Sequence, residues 1–362
     1  MDFPRNLYIE TANNEGHSPE FLTSTLGYID NLTSKNLPVI FSLKHFSLLI
    51  GMELSDVIKI IHNRNYYYSF YLIKKKKGGY RRIVAPFKKL KLMQSWIKEN
   101  ILDKLEVSQH ATGFIKGRSI LNNAKSHENN DVILNLDLSN FFETIVERRV
   151  YGIFSSLGYS KNLAVEFAKI CTAQMPKEKY DEIDPEKQEY FNKLYRLKES
   201  VLVQGAPTSP TLSNLICRRL DLRLSMLANK LGLIYSRYAD DITFSGKASN
   251  LPSIELLKKI IEDENFEINW EKVGKYKKGQ RQMVTGLLID GKVRVPKSFK
   301  KEIYRHLHFC SKYGAFSHFQ RICPDKAYRK EWLLGKIYFV YAIEPEEAKK
   351  MLKIANAINW EI

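Results

Sequence analysis

Apolar residues recur along this chain with two different periods, and the alternation between them predicts the order of its elements. Residues 1 to about 65 are mostly polar, with "FSLKHFSLLIGMELSDVIKIIHNR" placing apolar side chains at helical spacing. "YYYSFYLIKKKKGGYRRIVAP" then predicts a hairpin: an aromatic strand, a Gly78-Gly79 turn and a second strand closed by Pro86. Helix is expected from there to about Glu106. "DVILNLDLSNFF" has the short apolar run of a buried strand, and "ERRVYGIFSSLGY" and "NLAVEFAKICTAQ" return to helical spacing. Residues 176 to 200 carry nearly balanced charge and predict a solvated insertion. From Ser209 a single long helix is expected. Ser209 would cap it and Pro210 sits in its first turn. Leu212, Leu215, Ile216, Leu220, Leu224, Leu227 and Leu231 form its stripe, and Gly232 ends it. A strand hairpin around 235 to 244 follows, then a helix near 252 to 264. Short strands are predicted in "FEINWEKV", "RQMVTGLLID" and "KVRVP", and helices from Lys297 to "AINW".

Composition narrows the class. The 362 residues are 44% hydrophobic and 27% charged, which is ample for a packed core of two or three domains. Cys171, Cys217, Cys310 and Cys323 lack CxxC spacing and read as thiols of a reducing compartment, not as a zinc site or disulfide frame. Neither a membrane span nor a secretory signal pattern is visible, so a cytoplasmic protein with no membrane partner is expected. Charge adds more. The formal net charge is +17, and it is clustered. Residues 71 to 91 hold nine basic side chains and no acidic one; from Lys272 to Lys301 there are ten, with Asp290 the only acid. Most charge runs are solvated faces. Two blocks beside aromatics favour a nucleic-acid partner.

Candidate chemistry lies in "SRYADDITFSG", where Asp240 and Asp241 adjoin inside a strand-like stretch. Adjacent carboxylates repel, so either a solvated turn or a divalent cation must offset the cost. Asp137 ends the buried run "VILNLD". Each acid alone is more often a turn former than a ligand. Three leaving apolar strands in a basic chain without Cys or His ligand spacing select a hard cation such as Mg²⁺ or Mn²⁺. Two such ions ~4 Å apart can serve in-line phosphoryl displacement. Spacing alone does not separate a polymerase from a nuclease.

The flanking strings do. "NLDLSNFF", "QGAPTSPTLSN" and "YADD" with "ITFSG" resemble, in that order, the central motifs of reverse transcriptases. The resemblance runs from about residue 66 to the end. "NAKSH" (123 to 127) and "VTG" (Val284 to Gly286) are similar to the NA-x-x-H and VTG signatures of bacterial retron reverse transcriptases. This likeness implies an α+β right-hand polymerase. Its expected parts are an N-terminal helical extension (1–65), fingers (66–136), palm (137–290, with the insertion at 176–200) and helical thumb (291–362). It further implies that Asp137, Asp240, Asp241 and the Leu138 carbonyl hold two Mg²⁺ ions. Arg81 and Arg82 would grip the triphosphate of a dNTP, and Gln204 and Gly205 would lie along the nucleotide. Phe142 would exclude a 2′-hydroxyl, unless the Phe141-Phe142 pair is core, and Lys272 would protonate pyrophosphate. Expected RNA contacts are Asn123, His127, Val284, Thr285, Gly286, Lys292, Arg294, Lys297, Lys300 and Lys301. The implied partners are a structured non-coding RNA, its RNA–DNA product and a separate effector protein of phage defence. Other readings stay open: an intron-type or diversity-generating reverse transcriptase, a silent RNA-binding scaffold, or a nuclease. The chain's end at Ile362, soon after the thumb, disfavours the intron type, and the QG-P-SP string disfavours the nuclease.

Overall fold

A computed structural model describes residues 3–75, 78–322 and 328–360. Lys76 and Lys77 of the first basic block, and Cys323, lie outside the described residues. The chain divides into two compact units. The first comprises residues 1–114, 138–223 and 258–267; the second comprises 115–137, 224–257 and 268–362.

In the first unit the expected polar N-terminal helices form, among them Pro19–Ser34, Leu43–Leu49 and Leu54–His62. The last two are separated at Gly51, whose φ of 64° suits a residue without Cβ. They are not a loose appendage. Phe46 packs edge-on against Phe167, which also meets Phe154 and Tyr159. Lys35 donates to the Leu157 carbonyl, and the Tyr159 hydroxyl donates to that of Pro38. Strands β1 (Tyr68–Lys74) and β2 (Tyr80–Pro86) make the predicted hairpin in antiparallel register, Leu72 facing Arg82. Helices Lys88–Asn100, Glu147–Leu157 and Lys161–Cys171 stand where periodicity put them.

Two local expectations fail here. The segment 176 to 200 is not simply solvated: it folds into three short helices and buries Phe191 and Leu194, because Phe191 packs on Phe70 of β1 and Tyr190 on Tyr80 of β2. Balanced charge hid that aromatic pair. The single long helix is interrupted at Cys217, giving Ser209–Ile216 and Arg218–Lys230. Thr208 occupies the cap position, so Ser209 is the first helical residue and its buried hydroxyl has no protein partner.

The second unit is built on a four-stranded antiparallel sheet in the order β4-β5-β3-β6. Its strands are β3 (Val132–Asp137), β4 (Ile234–Tyr238), β5 (Asp241–Gly246) and β6 (Gly274–Lys277). β3 is the buried central strand its composition predicted. A small hairpin, β7 (Met283–Val284) and β8 (Leu287–Leu288), and helices Lys297–Tyr313, Ala315–Ile322, Arg329–Tyr341 and Pro345–Asn356 share one core around Ile303, Leu307, Phe319, Ile337 and Met351. "FEINWEKV" is not a strand: Trp270–Lys272 form a 3₁₀ turn and pairing resumes at Gly274. Side-chain bonds from Asn269 and Lys272 to Asp137 bend this segment toward the end of β3. Cys171 and Cys310 are buried free thiols, pushed up to about 12 and about 11 by desolvation. No described helix is long and apolar enough to cross a membrane.

Candidate active site

Antiparallel pairing places Asp137, the last residue of β3, directly opposite Asp241, the first of β5. Cα atoms in such pairs lie roughly 4.5–5.5 Å apart. Asp240 belongs to the two-residue turn that joins Tyr238 to Asp241. The other turn residue, Ala239, takes φ of 58°, a left-handed conformation that a residue with a Cβ adopts at a cost. The buried Arg237 guanidinium donates to its carbonyl at 3.0 Å and holds the turn in place. Asp137 and the adjacent pair Asp240 and Asp241, far apart in sequence, therefore share one corner of the sheet.

That corner is electrostatically loaded. Burial first, then the charges of Asp240 and Asp137, push the Asp241 carboxyl up to about 7, although the residue keeps solvent access. Asp137 is buried, and both of its oxygens accept from the Lys272 ammonium, at 2.8 and 2.7 Å. Asn269 donates to the first of them at 3.0 Å. Burial alone would lower the Lys272 pKa, but its bond to Asp137 and the three surrounding carboxylates outweigh this and raise it. Among the described residues no group of three or more His, Cys, Asp or Glu side chains is arranged as a metal site. The donor chemistry nevertheless fits a hard divalent cation. Every acidic donor is a carboxylate oxygen, and their mutual repulsion is what a bound cation relieves. In this structure the lysine supplies the countercharge.

Of the residues expected along the nucleotide, Arg81, Arg82, Phe142, Gln204 and Gly205 belong to the first unit. Phe141 is buried and stacked on Phe266, which makes it the core member of its pair. Phe142 is only partly buried, with its ring beside Phe114. Val84 of β2 donates its N–H to the Gln204 carbonyl at 2.8 Å. Gly205 follows at φ of 126°, and a Cβ there would meet the Val84 carbonyl at 2.8 Å, so glycine is required. Arg81 is exposed. Arg82 faces the other way and is spent: it donates to the Tyr190 carbonyl, to Asn140 and to Glu143. Of the two arginines, only Arg81 is exposed. Leu138 buries its side chain.

The expected RNA contacts separate into two groups. Asn123, His127 and Val284 are buried, which takes them away from a direct contact. His127 lies between Ser236 of β4 and Ser245 of β5, 2.7 Å from each hydroxyl. Burial drives its pKa down to about 4, so the ring is neutral, donating from one nitrogen and accepting at the other. It ties the two strands of the aspartate hairpin together. Thr285 and Gly286, at φ of 47° and 83°, are the turn between β7 and β8. The Thr285 hydroxyl donates to the carbonyl of Ile120, the first residue of the helix Ile120–Lys125 that carries most of the NAKSH string. Lys300 is paired with Glu344 at 2.8 Å. Lys292, Arg294, Lys297 and Lys301 are exposed. Periodicity could not have exposed these roles for Arg82 and His127, because both depend on partners far along the chain.

The match to known proteins agrees with this arrangement. Residues 73–287 fit the family model described as reverse transcriptase (RNA-dependent DNA polymerase). The retron Ec86 reverse transcriptase of Escherichia coli is 35% identical over 80% of this chain and 86% of that protein. The chain belongs to the reverse transcriptase family. Its likeness is to the retron branch: the Ec73 enzyme of Escherichia coli is 31% identical over 80% of this chain and 87% of its own length. The Mx162 enzyme of Myxococcus xanthus is 34% identical over 67% of this chain, which spans 52% of that protein. A Candida albicans telomerase solved with an RNA fragment aligns over 80% of this chain at 10% identity, with a TM-score of 0.41, too loose to bear on the site. This reverse transcriptase is thus an RNA-directed DNA polymerase with the α+β right-hand fold of its family.

Proposed function

We propose that this reverse transcriptase copies part of a structured non-coding RNA into single-stranded DNA that stays linked to the RNA. The reading is carried by the pairing of Asp137 with Asp241 beside Asp240. Asp137, Asp240, Asp241 and the Leu138 carbonyl would hold two Mg²⁺ ions, or Mn²⁺. When bound, such ions activate the attacking hydroxyl and stabilise the departing pyrophosphate. Lys272, already facing the carboxylates, would hand its contact with Asp137 to the metal and offer its proton to pyrophosphate. Exposed Arg81 suits triphosphate oxygens, since a guanidinium fork matches them in pairs. The Phe142 ring would lie beneath the sugar and refuse a 2′-hydroxyl, with Gln204 and Gly205 along the dNTP.

Lys292, Arg294, Lys297 and Lys301 would follow RNA phosphates. Within this reading the fingers, palm and thumb span 66–136, 137–290 and 291–362. A cytoplasmic setting, a separate effector protein and a part in phage defence would complete this reading. The deciding experiment is recovery of the nucleic acid bound to the native protein, followed by addition of dNTPs and Mg²⁺. A branched RNA–DNA hybrid is expected. RNA that stays uncopied would overturn the proposal.

A further inference from the structure

One guanidinium in the first unit joins three stretches that are far apart in sequence. Arg82 Nη1 donates to the Tyr190 carbonyl at 2.6 Å; Nη2 donates to Asn140 Oδ1 and to Glu143 Oε1, each at 3.0 Å. The arginine side chain is 17% exposed and that of Glu143 11%, so the pair is largely removed from water. Asn140 and Glu143 flank Phe142 on either side. Asn140 is held at φ of 48°, and the turn is closed by the Thr144 N–H on the Asn140 carbonyl and the Ile145 N–H on that of Phe142. The turn is therefore anchored from outside at two points by a single planar fork. The third anchor comes from the segment that matched no family string. There Tyr190 packs edge-on against Tyr80, and Phe191 against Phe70, so the segment is fastened to both strands of the hairpin.

We propose that Arg82 is a positioning residue for the Phe142 ring, and that the segment carrying Tyr190 and Phe191 is a buttress for the same purpose. This rests on Phe142 excluding the 2′-hydroxyl, as read above. Arg82 does not touch the nucleotide: engaging a phosphate would leave Glu143 buried and uncompensated. Its reach is to the loop, and through it to where the ring stands. Small displacements of a group that contacts the reacting sugar are costly, up to about a hundredfold per ångström. The otherwise unassigned insertion thus serves sugar selection without meeting the sugar.

Arg82→Lys tests this, because an ammonium keeps the charge but cannot span three acceptors in one plane. Single-nucleotide incorporation of dCTP and CTP is measured for Arg82→Lys, Tyr190→Ala, Phe142→Ala and the Arg82→Lys/Phe142→Ala double variant, each normalised to folded protein by circular dichroism. The expected result is a loss of roughly tenfold in dCTP-over-CTP preference for Arg82→Lys, and a smaller loss for Tyr190→Ala. The KM for dCTP should change little, and the double variant should be no less selective than Phe142→Ala. An equal rise in KM for both nucleotides, with preference unchanged, would make Arg82 a phosphate ligand and overturn the proposal. Lower thermal stability with preference intact would overturn it too, leaving a purely structural pair. If Phe142→Ala itself keeps full preference, the sugar-exclusion reading fails; if it loses preference while Arg82→Lys does not, only the positioning role fails.

Discussion

Around Asp137 three acidic side chains meet one lysine, whereas around Arg82 one guanidinium meets one carboxylate and two neutral oxygens. The first corner is held by β-sheet register and gathers like charge; the second is held by side chains and pairs opposite charge. A site that must accept cations gathers carboxylates whose mutual repulsion a cation relieves. A site that must keep one ring in one place gains from a saturated network. The part-buried Arg82–Glu143 pair also carries the risk of such networks: removing one member strands the other.

Four substitutions probe that contrast, the strongest first. Asp240→Asn should cut DNA synthesis by at least about a thousandfold while RNA binding, measured by filter retention, stays within about twofold. Normal extension by this variant would dissolve the carboxylate corner as a catalytic feature. Glu143→Ala should destabilise the protein by about 3–5 kcal/mol in urea unfolding, because the Arg82 charge is left buried without its counterion. An effect near zero would mean that the network is not saturated after all. His127→Ala leaves the Ser236 and Ser245 hydroxyls buried without a partner and should cost about 2–4 kcal/mol by the same measurement.

The smallest effect concerns pH. Asp241 has its pKa raised in the fold to about 7 from 3.8, so the folded chain holds more protons than the unfolded one between those values. Its contribution to stability is therefore lost as pH rises through that window. Asp241→Asn should raise the melting temperature of the metal-free protein by a few degrees above pH 7, and the gain should vanish toward pH 4. Added Mg²⁺ should stabilise the parent chain above pH 7 and the variant much less.

Much of this was legible in the sequence. The run "VILNLD", the YADD hairpin and the aromatic hairpin with its Gly78-Gly79 turn announced themselves by period and by turn residues, which are local signals. That Asp137 meets the Asp240–Asp241 turn was implied by the reverse transcriptase resemblance; its register opposite Asp241 was not. What stayed hidden depends on burial and on long-range partners. Asn123 and His127 look like surface polar residues in "NAKSH", yet the fold encloses both. Arg82 differs from Arg81 only by strand alternation, and no composition rule says which face meets Glu143. "FEINWEKV" has strand-like residues, but its polar side chains are drawn to Asp137 instead of extending.

The N-terminal helices carry a consequence for biosynthesis. Phe46 packs edge-on against both Trp96 and Phe167, so the first helices leave the ribosome well before the more distant part of their docking surface exists. At about 5–20 residues per second that wait is on the order of ten seconds. During it the nascent chain displays an oily face followed by a strongly cationic stretch, and anything that covers that face until Phe167 emerges would favour the native state.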